Sequence, residues 1–289
     1  IAGIFCTALI LNTITAGNMF QAWNVANLTQ SYFGVPTVVT GFILAILVGA
    51  VIIGGIKRIG AVASKLVPFM LILYVLACIF VLSVNLGQIP SMLALIVTSA
   101  FEPLEASNAF VGGTAGYAFM YGMQRALFSN EAGQGSSAIA HSAAKTDEPI
   151  REGVVAGLEP FIDTIVVCFM TASVILITKD ANPLYQVGGG INGAELTSAA
   201  FGSVISWFPI ILSAVVFLFS YSTMISWYYY GNKGWKYLFG DPTIPVYQTL
   251  YLGCTILGAI ASLGNVIDFS DMMILSCAFP NIIGAMFML

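Results

Sequence analysis

The chain has 289 residues, of which 58% are hydrophobic and 8% are charged, and its formal net charge is −4. Soluble domains carry about 25% charged residues, so these few charges cannot cover the surface of a soluble fold. The small net charge gives no reason to expect nucleic-acid binding. Apolar runs such as residues 36–55 are long enough to cross the ~30 Å hydrocarbon core of a bilayer. We therefore predict an all-α, multi-pass protein of the cell membrane, embedded in the lipid bilayer.

The apolar runs and the breakers between them predict eight membrane segments, labelled A to H. They are A (1–31), B (36–55), C (61–86), D (114–145, interrupted), E (152–178), F (203–230), G (244–264) and H (269–289). Residues 89–101 and 193–201 form apolar runs too short to cross, and we expect short surface or re-entrant helices there. Because the chain begins without Met and ends in an apolar run, we expect a piece of a longer protein.

The basic residues test this order of segments. Seven of the nine fall at three turns: Lys57, Arg58 and Lys65 at B–C, Lys145 and Arg151 at D–E, and Lys233 and Lys236 at F–G. These turns share one side of the membrane only if the segments alternate as given. Cytoplasmic loops carry an excess of Lys and Arg, so the B–C, D–E and F–G loops are predicted to be cytoplasmic.

Segments A and F each carry a polar seam at helical spacing. The seam of A is Gly17, Asn18, Gln21 and Asn24, and that of F is Ser222, Thr223, Ser226 and Trp227. Single small polar residues often join membrane helices to one another. Four on one helix face, with a second such seam elsewhere, favour a water-filled cavity.

Segment D is predicted to be broken near residues 129–135, where Gly133 and Gly135 permit backbone angles that other residues resist. Unwound backbone at membrane depth persists only where protein or a cavity satisfies its amides and carbonyls. Two half-helix ends meeting there would offer opposite partial charges to a ligand or a cation. The alternative is a helix end, a loop and an unrelated amphipathic piece.

The other ionisable residues leave several interpretations open. Arg125 and Glu131 could pair with each other, as a gate or as simple neutralisation. Asp163 lies deep in segment E, where a charge is costly and is usually functional or paired. His141 is interpreted as a solvated helix residue rather than a proton relay. The five cysteines are scattered and are interpreted as small buried hydrophobes, not as a metal site or disulfides.

The stretch RALFSNEAGQGSSAIAHSAAKTDEPIREG (125–153) closely resembles the alanine or glycine:cation symporter family. The likeness continues through GGIKRIGAVASKLVPFM, FIDTIVVCFMTASVILIT and ISWYYYGNKGWKYLFGD, and covers essentially the whole chain. The SNEAG motif is highly specific to this family. The resemblance identifies the chain as a transporter and not an enzyme.

The resemblance implies a leucine-transporter-like fold, built from two five-helix repeats that are inverted in the membrane. On that scheme 1–86 holds helices three to five of the first repeat, 114–289 holds helices six to ten, and the first two helices are missing from this chain. It also implies a secondary active symporter that imports alanine or glycine with sodium by alternating access. A proton-coupled amino-acid transporter is the alternative, and no cofactor is expected besides the coupling ion.

The resemblance further implies which residues contact the substrate. Gln21 would bind polar groups of the amino acid, while Asn130 and Gly133 would meet its ammonium group and backbone. Thr223 would contribute its hydroxyl, and Trp227 would wall the pocket and exclude large side chains.

Ser222 and Thr223 would supply oxygens to half of a sodium site, with the other half on the missing first helix. Gln134 and Ser137 stand where the family commonly has Met and Ala. Gln134 is therefore expected to add polarity close to the pocket.

Two other functions are weighed against symport. An intramembrane hydrolase could use Glu131 and His141, but ten residues separate them, unlike the HExxH spacing, and neither GxSxG nor paired aspartates occur. A passive channel would be expected to repeat a ring or filter motif, and none is visible.

Overall fold

A computed structural model of the chain describes residues 1–101, 113–185 and 193–287. Within these ranges the chain is helical and contains no strand, so the all-α prediction is confirmed. The α-helices of the first part are α1 Ala2–Ile14, α2 Phe20–Phe33, α3 Thr37–Ile52, α4 Gly55–Val84 and α5 Ile89–Phe101. Those of the second are α6 Gly113–Asn130, α7 Ser136–His141, α8 Pro149–Pro160, α9 Phe169–Ile177, α10 Gly193–Gly202, α11 Phe208–Phe239, α12 Ile244–Ile260 and α13 Leu263–Met286. Residues 186–192 and 288–289 of the second predicted repeat, and residues 102–112 between the two repeats, lie outside the described residues.

Six helices among the described residues are long and apolar enough to cross a membrane. They are Ala2–Phe33, Gly55–Val84, Pro149–Ile177, Phe208–Phe239, Asp241–Ile260 and Gly264–Met286, which match segments A, C, E, F, G and H. Segment B is a shorter apolar helix, α3. Segment D is divided between α6 and α7 by residues 131–135.

Helix boundaries differ from the predictions most clearly in segments C and F. Helix α4 begins at Gly55 rather than at residue 61, and α11 covers Phe208–Phe239 rather than 203–230. Pro209 starts α11 because its ring fixes a helical φ and its missing N–H costs nothing in the first turn. Gly240, with φ of 82°, ends it. Six of the seven basic residues assigned to turns lie on helices: Lys57, Arg58, Lys65, Arg151, Lys233 and Lys236.

Two of the long helices contain π-helical turns. Thr15–Met19 joins α1 to α2, and Phe161–Cys168 joins α8 to α9. A π turn inserts one extra residue and rotates all that follows relative to what precedes it. The single polar stripe predicted on segment A is consequently split between different faces.

The interior of the bundle forms around α1, α2, α11 and α12. Its core includes the fully buried side chains Leu9, Leu44, Met224, Tyr247 and Tyr251. Segments A and F are the most enclosed spans, with 61% and 56% of their apolar windows buried, against 17% for segment E. The two helices that carry the polar seams are thus interior helices, and segment E presents mainly apolar side chains outward.

Candidate functional site

The centre of the site is the interruption between α6 and α7. Three alternate residues of the break have left-handed backbone, with φ of 58° at Glu131, 80° at Gly133 and 84° at Gly135. Glycine adopts this region freely, whereas Glu131 is held there against its steric preference. A Cβ at Gly135 would lie 2.5 Å from Oδ1 of Asn281, so this glycine also allows α13 to approach closely. Residues 131–135 are thus non-helical and separate α6 from the short helix α7.

The free backbone groups of the break are bonded by amide side chains. Nε2 of Gln134 donates to the carbonyl of Leu127 in the last turn of α6, and Nδ2 of Asn281 donates to the carbonyl of Gly133 at 3.0 Å. Nδ2 of Asn12, on α1, in turn donates to Oε1 of Gln134 at 3.3 Å. Gln134 is fully buried and is not among the residues that line the cavity described below, so its amide is used within the protein. It caps a half-helix instead.

A cavity of about 470 Å³ opens beside the break. Its walls come from the first π turn and α2, from α4, from the end of α6 with the break, from α8 with the second π turn, and from α11. Four of the residues proposed from the sequence line it: Gln21, Ser222, Thr223 and Trp227. The volume suits a molecule of amino-acid size with accompanying water or ions.

Asn130 and Gly133 are not among the lining residues. Nδ2 of Asn130 donates to Oγ1 of Thr164 at 2.9 Å, and its Oδ1 accepts from the N–H of Ala132 at the same distance. The carbonyl of Gly133 is occupied by Asn281. Both residues hold the break together, because the Asn130 side chain and the Gly133 carbonyl are already bonded within the protein.

Three carboxyl groups line the cavity: Glu131, Glu159 and Asp163. Oε2 of Glu131 accepts from the Ser136 hydroxyl at 2.7 Å, and Oδ2 of Asp163 accepts from the Ser129 hydroxyl at 2.6 Å. None of the described residues lining the cavity is Lys, Arg or His. Of the three, Glu131 is buried and forms no ion pair among the described residues, whereas Glu159 is more exposed and lies 3.6 Å from Nε2 of His141. A buried carboxylate without a basic partner attracts a cation, because burial of an uncompensated charge is costly.

The hydroxyls of α11 present oxygen atoms to the same space. Ser222 and Thr223 each donate to the carbonyl of Phe219 at 2.9 Å, which uses their protons. Their remaining lone pairs are hard oxygen donors of the kind that alkali cations accept. The indole of Trp227, beside the Tyr230 ring at 5.7 Å, closes this wall.

Two predicted contacts of ionisable residues are corrected. Arg125 pairs with Asp271 of α13 and not with Glu131, because it points from α6 toward α13 while Glu131 is turned toward α7. His141 is not simply solvated, since its Nδ1 lies 2.6 Å from Glu152 and its Nε2 lies 3.6 Å from Glu159.

Sequence reasoning missed two acidic groups at the cavity. From the sequence, Glu131 is considered as a partner of Arg125 and as a hydrolase residue, but not as a cation-binding group, and Glu159 is not singled out. Asp163 was flagged by its depth in an apolar segment, and the same signal applies to Glu159, four residues earlier. That i, i+4 spacing on one helix was readable from the sequence.

The profile of the sodium:alanine symporter family matches residues 1–289, the full chain. The chain belongs to this family. Its family is one of transporters, not of enzymes.

Curated relatives agree with this placement. The chain is 41% identical to the sodium/alanine symporter AgcS of Methanococcus maripaludis, over 93% of this chain and 58% of that protein. It is 33% identical to the probable sodium/glutamine symporter GlnT of Bacillus subtilis, over 99% of this chain and 58% of that protein. It is 32% identical to the sodium/proton-dependent alanine carrier protein of Bacillus sp. strain PS3, over 82% and 55%. The chain spans little more than half the length of these relatives.

Proposed function

We propose that the protein is a secondary active symporter that imports alanine or glycine together with sodium by alternating access. The observation that carries the proposal is the cavity at the helix break, with three carboxyl groups and no basic group among its described lining residues. A zwitterionic amino acid and a sodium ion together bring two positive charges and one negative charge. The pair carries one net positive charge, which sodium supplies, while the ammonium group of the amino acid can lie beside a second carboxyl group of the acidic cavity.

Particular residues take separate roles in this proposal. Gln21 offers an amide to the polar groups of the amino acid, and Thr223 offers a hydroxyl oxygen. Trp227 walls the space for the substrate side chain. Glu131 faces the positively charged groups, and Ser222 with Thr223 belongs to the sodium site.

Asn130 and Gly133 act on the substrate indirectly in this scheme. They fix the turn that directs Glu131 toward the cavity, through Thr164 and Asn281. The roles first assigned to their polar groups pass to residues whose atoms face the cavity.

We further propose the leucine-transporter-like architecture for the whole protein. Residues 1–86 would belong to the first inverted repeat and 114–289 to the second, giving eight membrane segments with B and the broken D included. The B–C, D–E and F–G connections would face the cytoplasm, because seven of nine basic residues are on or beside them. Interior positions of segments A and F, the third helix of each repeat, support this arrangement.

Coupling needs no covalent chemistry. If sodium and the amino acid each stabilise the other's site, each raises the affinity of the other by the same factor. The closed, substrate-loaded states are then reached efficiently only when both are bound, and the sodium gradient drives accumulation.

The identity of the ion is the main alternative. One relative carries the name of a sodium/proton-dependent alanine carrier, so a proton could accompany or replace sodium here. Another is named for glutamine, and glutamine therefore belongs among the substrates to be tried.

Uptake by the full-length protein in liposomes tests the proposal. Labelled alanine, glycine and glutamine would be offered with an inward sodium gradient, an inward proton gradient, or neither. We expect accumulation of alanine or glycine above the external concentration only under the sodium gradient. Equilibration without accumulation under both gradients would identify a passive channel instead.

A further inference from the structure

Gly17 lies in the π turn Thr15–Met19 and is packed against Trp227. A Cβ atom added at Gly17 would lie 2.5 Å from both Cβ and Cγ of Trp227 and 2.6 Å from its Cδ2. Carbon atoms at this distance overlap strongly, so a neighbour would have to move. The backbone of Gly17 is not left-handed, and the demand for glycine here is therefore purely one of space.

The contact between Gly17 and Trp227 is important because the indole forms part of the cavity wall. Trp227 lines the cavity and Gly17 does not. An atom added at Gly17 therefore acts on the cavity through the Trp227 side chain.

Moving the two helices apart would not relieve the overlap easily. One turn further along α11, a Cβ at Gly231 would lie 2.4 Å from Oγ1 of Thr13, so segments A and F are in close contact there too. Oγ1 of Thr13 is also bonded to the hydroxyl of Tyr247 at 2.9 Å, which ties α12 into the same contact. Because Cβ of Trp227 is fixed to the α11 backbone, the overlap has to be relieved by a local shift of α11 at Trp227, and the indole moves with that shift.

The π turn determines which residue meets the indole. Ala16 lines the cavity, while Nδ2 of Asn18 donates to the carbonyl of Tyr251 at 2.7 Å on the far side of the helix. Gly17 stands between them and faces Trp227. Three successive residues thus contact the cavity, the indole and α12 in turn, and only the middle one must lack a side chain.

We propose that Gly17 is a specificity-determining residue, which sets the size of the substrate pocket by leaving room for Trp227 to lie against segment A. This rests on the proposed function. With glycine at this position the indole is withdrawn and the pocket accepts a methyl side chain. With any larger residue the indole is displaced into the pocket, which then accepts glycine but not alanine.

The test uses the full-length protein in liposomes under an inward sodium gradient. For each variant, kcat/KM is measured for alanine and for glycine, and their ratio is compared so that differences in protein amount cancel. We expect Gly17→Ala to lower the alanine-to-glycine ratio about tenfold or more, which is the discrimination that one methyl group typically provides. Gly253→Ala is the matched control, because a Cβ at Gly253 meets no atom within 4 Å.

A second variant separates displacement of the indole from general damage. In Gly17→Ala/Trp227→Phe the smaller ring occupies less of the pocket, so the ratio should return toward that of the wild type. If Gly17→Ala alone does not reach the membrane, the double variant is compared with Trp227→Phe alone, and the added methyl should still lower the ratio.

An unchanged ratio in Gly17→Ala, or in the double variant relative to Trp227→Phe, would overturn the inference. Failure of the proposed function has a different signature, since the wild-type protein itself would then accumulate neither amino acid.

Discussion

Glu131 combines two unusual features in one residue. It is a non-glycine residue with left-handed backbone, at φ 58°, and its carboxyl lines a cavity within the bundle while being only 9% exposed. Its bond to Ser136, the first residue of α7, fixes the carboxyl in that direction. Strained backbone of this kind persists where the surrounding structure specifies it, and it is concentrated at functional sites.

Glu131→Gln is expected to weaken sodium binding about tenfold or more, since it removes the charge but nearly keeps the shape. The apparent sodium affinity of alanine uptake in liposomes measures this. Asp180→Asn is the matched control, because Asp180 has a 91% exposed side chain paired with Lys179. Equal sodium affinity in wild type and Glu131→Gln would exclude Glu131 from the ion site.

The residues of α11 were predictable, whereas those of the break were only partly so. Ser222, Thr223 and Trp227 follow helical spacing on an unbroken helix, and spacing alone places them on one face. Asn130 lies at a helix end, where the direction of the side chain depends on irregular backbone. Its bonds to Thr164 and Ala132 have no signature in the sequence.

At the scale of the element, the C-terminal end of the half-helix α6 is capped by side chains that lie outside its last turn. Gln134 donates to the carbonyl of Leu127, and Asn12 donates to Gln134 from α1. Asn12 and Gln134 are fully buried and Leu127 is half-buried, and Oδ1 of Asn12 has no partner among the described residues. Breaking one link leaves a polar group unpaired, whereas removing both amides removes the need for the bond.

Gln134→Ala is accordingly expected to destabilise the protein by about 1–3 kcal/mol, because Leu127 and Asn12 lose their partner. Asn12→Leu/Gln134→Met should recover part of that loss. Unfolding of the purified protein in detergent, followed by tryptophan fluorescence, measures both. Asn12→Leu and Gln134→Met are also measured singly, and a double variant as unstable as the sum of these two would argue against a direct link between the two amides.

The first π turn packs closely against α12, and this contact leads to a second prediction at the scale of the element. A Cβ at Gly258 would lie 2.4 Å from Cα of Met19 and 2.7 Å from its carbonyl oxygen, so only backbone movement could accommodate it. Gly258→Ala is expected to destabilise the protein by about 1–3 kcal/mol. Gly253→Ala, on the same helix with open space around it, should be near neutral in the same unfolding measurement.

The first π turn explains why segment A was correctly predicted to be a helix although its polar residues were assigned to the wrong faces. Segment A was predicted as one regular helix with Gly17, Asn18, Gln21 and Asn24 on one face. The inserted residue at Thr15–Met19 sends Asn18 to Thr255 and Tyr251 of α12, and of the stripe only Gln21 lines the cavity. A regular helical period does not reveal a single inserted residue, so the position of the π turn could not be predicted from the hydrophobic pattern.

At the scale of the whole molecule, the apolar spans and the family were readable from sequence. Spans A, C, E, F, G and H follow from length and composition, and SNEAG points to the family. Which helices pack against each other could not be predicted from the sequence, because helix–helix contacts in lipid depend on shape complementarity between small residues rather than on burial of apolar surface.

The proposed orientation predicts which residues are reachable from each side. Single cysteines at Lys145 and Lys179 should react from opposite sides of the membrane with an impermeant maleimide, the first from the cytoplasmic side. Intact cells and inside-out vesicles give the two measurements, and the parent protein without an added cysteine is the control. Labelling of both positions from the same side would contradict the orientation.

The central claim is that one cavity at the helix break binds the amino acid and the cation together. Equilibrium binding of labelled alanine to the purified full-length protein, in sodium chloride and in choline chloride at equal ionic strength, tests it most directly. The account predicts at least about fivefold tighter alanine binding in sodium, the lower end of typical coupling between two sites. The same alanine affinity in both salts would contradict it.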